Sequence, residues 1–139
     1  MLIDHILLVK YRACKDQVAL FDLLWPNGLV VPTDASTATQ IATTSAHARL
    51  HIEWAIGLLP KDKREAVKVE VASLRAEYEA KVAPIWEEYY AITAPIWVAV
   101  SPAEYVAKSR PLWEESRSLA APIWEECNTK IALLILSAF

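Results

Sequence analysis

Residues 94–104 read APIWVAVSPAE and hold two prolines in different surroundings. Pro95 follows an alanine, a poor helix cap, whereas Pro102 follows Ser101 and lies just before Glu104. Ser101-Pro102-Ala103-Glu104 is a capping box with proline at the first helical position, where its missing N–H costs nothing. One helix is therefore expected to end near residue 100 and another to begin at 102. Pro84, Pro111 and Pro122 resemble Pro95, since each follows an alanine or an arginine that caps poorly. These four are expected inside continuing helices, as kinks that cost about 3 kcal/mol each.

Each such proline belongs to an eleven-residue repeat, at residues 78–88, 89–99, 105–115 and 116–126. The motif is APIWEE at 83–88 and 121–126, RPLWEE at 110–115 and APIWVA at 94–99. Residues 67–77 form a degenerate fifth copy without Pro or Trp. Eleven residues make almost three helical turns, so every copy returns to nearly the same face. At about 100° per residue, Tyr78, Val82, Ile85, Trp86 and Tyr89 share one sector, with Glu87 opposite and Pro84 and Glu88 on the outer flank. The spacing predicts a buried stripe of Ile, Trp and Tyr with carboxylates in water. The copy without glutamates, 94–99, is expected either to bury its outer face or to meet another subunit.

The two repeat pairs are offset by 27 residues, or about seven and a half turns, so an unbroken helix would point them apart. The turn at Ser101 instead folds 61–100 against 102–137 as a hairpin. Its charged, alanine-rich start, KDKREAVKVEVASLRAEYEAK at 61–81, has good helix propensity.

Upstream, Leu7, Tyr11, Cys14, Val18, Phe21 and Trp25 alternate in steps of four and three, an apolar helical stripe closed by Pro26-Asn27-Gly28. LVVPTD at 29–34 reads as an extended link in which Thr33 or Asp34 caps a second helix over 36–59. The Thr-rich first half of that helix is its weaker half, and Pro60 ends it. The expected fold is all-α. Two N-terminal helices in residues 1–60 pack on a long, proline-kinked antiparallel hairpin in residues 61–139, all in one domain.

Composition narrows the function. Of 139 residues, 55% are hydrophobic and only two are glycine, with a net charge of −3. No basic stripe for nucleic acid is present. The apolar run IALLILSAF at 131–139 is too short to span a bilayer and reads as a docked last helical turn. Met1–Val9 lacks the basic start of a signal peptide. Cys14 and Cys127 read as reduced, buried thiols, and the expected compartment is the cytoplasm.

No arrangement of Ser, Cys or His names a nucleophile, no Gly-rich phosphate loop exists, and neither catalytic residues nor cofactors are expected. His47 and His51, spaced i, i+4, could share a helix face, but no glutamate of zincin type follows the first; solvated histidines are the default reading over a metal site. The Glu87/Glu88, Glu114/Glu115 and Glu125/Glu126 pairs recur with the structural period and do not face each other. Trp86, Trp97, Trp113 and Trp124 ordinarily read as core. If some line a cleft instead, they could stack on a planar ligand with help from Arg75, Arg110 or Arg117.

The array Y-x4-A-P-I-W-E-E-Y, mainly within residues 78–127, resembles the proline-tryptophan repeats of small bacteriophage-encoded proteins of unassigned function. YRACKDQVALF at 11–21 and HIEWAIGLL at 51–59 are similar to what precedes such arrays. The resemblance implies a phage accessory protein in the bacterial cytoplasm that binds and inhibits a host factor. The alternative is a protein that sequesters a nucleotide-like signal between tryptophans and arginines. A 39-residue helix would be about 60 Å long, so a stripe reaching past the N-terminal helices needs cover. A homo-oligomer, a dimer first, supplies it most simply.

Overall fold

The computed structural model describes residues 1–139 and is mostly helical. The element order is β1 (Leu2–Ile3), α1 (His5–Lys10), α2 (Lys15–Leu24), β2 (Leu29–Val30), α3 (Ala35–His47), a 3-10 helix (Glu53–Leu58), α4 (Lys61–Ala99) and α5 (Pro102–Ser137). No helix is long and apolar enough to cross a membrane. Two compact units make up the chain: residues 1–74 with 125–139, and residues 75–124.

In the first unit, the single N-terminal helix expected over the Leu7–Trp25 stripe is two. Arg12 adopts φ 63°, and its N–H bonds to Val9 while that of Ala13 bonds to Leu8. This is a Schellman ending, which usually has glycine at the left-handed position. Cys14 consequently precedes α2 as its exposed N-cap rather than lying buried in a stripe, whereas Cys127 is buried as expected.

The second expected helix is also shorter. Asp34 caps α3 by accepting from the Thr37 N–H at 2.8 Å. The helix then stops at His47, through a second Schellman ending with Arg49 at φ 60°. The Thr-rich half is thus the regular helix, and the half thought stronger is a turn and a 3-10 segment. Thr39 and Ser45 satisfy their hydroxyls on the carbonyls of Ala35 and Ile41, both at 2.8 Å, so polar residues fit this helix at no cost in orphaned groups. Gln17 clamps the turn, with its Oε1 accepting from the His51 N–H at 2.6 Å.

β1 pairs antiparallel with β2, Leu2 opposite Val30 and Ile3 opposite Leu29. Gly28 makes that approach possible: at φ 80° a Cβ there would lie 2.8 Å from the Ile3 carbonyl oxygen. The core of the unit includes Ile3, Leu8, Phe21, Leu50, Leu59, Val67, Ile131, Ile135 and Leu136. The C-terminal apolar run therefore docks as expected, and Lys63 Nζ donates to the Ala138 carbonyl at 2.7 Å.

The second unit is a helical hairpin. α5 begins in the capping box the sequence predicts: the Ser101 N–H donates to Glu104 Oε2 at 3.1 Å and the Glu104 N–H to Ser101 Oγ at 3.4 Å. Pro84 and Pro95 lie inside α4, and Pro111 and Pro122 inside α5, all four exposed. The carbonyls they leave without a helical donor, at Ala80, Ala91, Ala107 and Ser118, belong to exposed residues, where water serves.

Candidate functional site

The hairpin unit buries the same repeat position in all four copies, and it is not the tryptophan. Two residues before each proline stand Val82, Thr93, Ser109 and Ala120, with exposures of 6, 1, 6 and 6%. Small side chains let the helices meet along a narrow line, and Thr93 satisfies its hydroxyl on the Tyr89 carbonyl at 2.9 Å. Each tryptophan follows four residues later, about 40° further round its helix. It therefore flanks the seam. Trp86 and Trp124 are half-buried, while Trp97 and Trp113 are 61% and 41% exposed, which corrects the expectation of a buried Trp stripe. The glutamate pairs face water as expected, but the outer face of the 94–99 copy is not buried in the chain, since Val98 is 84% exposed.

Antiparallel helices turn in opposite senses about a common viewing direction, so side chains displaced equally from the seam emerge on one side. Trp86, Tyr90 and Trp97 of α4 accordingly share a flank with Trp113 and Arg117 of α5. Trp86, Tyr89, Tyr90, Tyr105 and Trp113 line a wide, open concavity of about 540 Å³ there. Edge-to-face contacts tie its walls: Trp86 to Tyr89 at 6.0 Å, Tyr89 to Tyr90 at 5.2 Å, and Trp97 to Tyr105 at 4.8 Å between centroids. The Arg117 guanidinium lies 5.1 Å from the Trp113 ring centroid, a cation–π pair.

Burial, with Tyr105 and Tyr90 nearby, holds the Tyr89 hydroxyl above the ordinary tyrosine pKa, and the neighbouring Ser109 hydroxyl opposes this in part. The site thus offers ring faces, ring edges and hydroxyls beside one guanidinium.

Of the residues singled out in sequence, the structure gathers Trp86, Trp97, Trp113 and Arg117. Arg110 is exposed and outside the lining, and Arg75 and Trp124 each lie eleven residues from the nearest lining tryptophan. Sequence reasoning missed Tyr89, Tyr90 and Tyr105 as site residues. The signal for Tyr89 and Tyr105 was present, since they recur with Tyr78 six residues before a proline, whereas Tyr90 falls outside that recurrence.

His47 and His51 do not share a helix face, because α3 ends at His47. His47 Nδ1 lies 4.0 Å from Glu125 Oε1, both well exposed. No cluster of three or more His, Cys, Asp or Glu side chains is placed to hold a metal ion. No protein-family model matches the chain, and no curated protein or solved structure is significantly similar to it.

Proposed function

We propose that the chain is a non-enzymatic helical binding protein that engages a protein partner through the aromatic flank of its hairpin unit. One observation carries the reading: Tyr90, Trp97 and Trp113 stand 63%, 61% and 41% exposed on one flank beside Arg117. Trp, Tyr and Arg are the residues that dominate interface energetics, and clustered exposed aromatics mark interaction surfaces. The resemblance to phage repeat proteins extends the reading to an accessory protein that inhibits a host factor in the bacterial cytoplasm.

A second reading, capture of a nucleotide-like ligand, is favoured by the volume of the concavity, which falls in the usual ligand range of about 300–1,000 Å³. Its openness argues the other way, because small-ligand sites enclose most of their ligand. The two separate in one set of measurements on wild type and the Trp97→Ser/Trp113→Ser variant. A protein captured from bacterial lysate by wild type and lost by the variant supports the first reading. The same protein retained by the variant would falsify it. A thermal shift with one member of a nucleotide panel, abolished in the variant, would establish the second instead.

A further inference from the structure

The flank of the hairpin unit away from the tryptophans holds a second, smaller site. Ile85 and Ile92 of α4 and Leu112 and Leu119 of α5 wall a concavity of about 90 Å³, with Glu88, Glu115 and Ser116 also on its surface. Trp97 meets Tyr105 across the hairpin. Glu88 lies nine residues before the first and Glu115 ten after the second. At about 1.5 Å per residue the two carboxylates, one from each arm, stand at one level.

Neither carboxylate is matched inside the chain. No lysine or arginine stands three or four positions from either on its own helix, where a partner would lie, and neither forms an ion pair. Ser116 is the independent sign of a ligand. It is only 8% exposed, yet its hydroxyl makes no hydrogen bond, whereas Thr93 and Ser137 satisfy theirs on the carbonyl four residues back. Nor is that hydroxyl sealed in, because Trp54 Nε1 is the one unpartnered side-chain polar atom wholly enclosed. It opens into the concavity as an unused acceptor.

We infer that this concavity is a binding site for the side chain of a lysine presented by a protein partner. An ammonium carries three N–H donors, and the site offers three acceptors: a carboxylate from each arm and Ser116 Oγ. The aliphatic walls take the four-carbon stem. Size excludes a ring, since about 90 Å³ is below the roughly 150 Å³ that holds benzene. The planar guanidinium of arginine fits less well than a compact ammonium. Charge along the flank selects a single ammonium. Lys81 lies seven positions before Glu88, and Lys108 seven before Glu115. Because the arms run antiparallel, the lysines stand about 10 Å to either side of the carboxylates. A second ammonium, on a diamine or polyamine laid between the arms, would approach one of them. No tryptophan lines this concavity, so the inference stands whether or not the aromatic flank binds a partner.

Titration of the full chain with acetyl-Gly-Lys-Gly-amide, followed by NMR at the Ser116 amide and the Ile85 and Ile92 methyls, tests this. Saturation with a Kd on the order of 1 mM is expected, and none up to about 50 mM overturns the inference. The norleucine peptide keeps the stem without the ammonium and should bind at least about tenfold more weakly. Equal binding of the two peptides refutes the role of charge. Glu88→Gln/Glu115→Gln should weaken the lysine peptide at least about tenfold and Ser116→Ala about threefold, each with an unchanged circular dichroism spectrum. Undiminished binding by the glutamate variant, or loss in Trp97→Ser/Trp113→Ser instead, overturns the assignment. Cadaverine separates the sources: binding tighter than the peptide's would give the site to a free diamine and refute a protein lysine.

Discussion

Trp97, on the last turns of α4, meets Tyr105, on the first turn of α5, edge to face at 4.8 Å and 86°. The contact spans the break at Ser101, so it couples the two arms where the backbone alone leaves them loosest. An edge-to-face pair adds about 0.5–1.5 kcal/mol beyond area. Trp97→Ala should lower stability by about 1–2 kcal/mol, whereas Val98→Ala, one residue further and outward, should change it by less than about 0.5 kcal/mol. Chemical denaturation of both variants checks the contrast.

Acid should loosen two helix starts. Hydrogen bonds from Ser101 hold the Glu104 carboxyl below the ordinary glutamate value, and the Thr37 N–H does the same for Asp34. With folded pKa values depressed, their stabilisation is present above the unfolded values and is lost as pH falls through the folded ones. The thermal midpoint should therefore drop below about pH 4. Asp34→Asn/Glu104→Gln, which keeps capping groups without titration, should flatten that decline. An unchanged pH slope in the double variant would remove these caps from the account.

The seam is sized for small residues. Thr93 is 1% exposed, so Thr93→Leu forces added methylenes between close helices and should cost about 1–3 kcal/mol. Thr93→Ser keeps the hydroxyl that bonds to the Tyr89 carbonyl and should be far milder. Equal losses from both substitutions would contradict a tightly packed seam.

Replacing one interior proline should stabilise the chain. Pro84→Ala restores a donor for the Ala80 carbonyl and removes a ring clash worth about 3 kcal/mol, offset by about 1 kcal/mol of unfolded-chain entropy. A gain of about 1–2 kcal/mol is expected from denaturation curves. A loss would mean that the bend itself is needed for packing.

Arg49 ends α3 with φ 60°, a conformation that costs a residue with a Cβ about 1 kcal/mol and glycine little. Arg49→Gly should raise stability by up to that amount, measured by thermal unfolding. A clear loss would show that the arginine side chain contributes more than its backbone strain costs.

The sequence by itself determined the hairpin. Local chemistry decides a capping box at Ser101, exposed prolines at a fixed repeat position, and glutamates opposite the buried sector, and all can be read at one helical period. Only tertiary structure decided where the N-terminal helices stop, because Arg12 and Arg49 take the left-handed position that glycine would have announced. It also decided the fate of the tryptophans. Two helices meet along a line only a few side chains wide, so the small residue of each repeat takes the line. The large one four positions later is left on the flank, with no third layer in the hairpin unit to cover it.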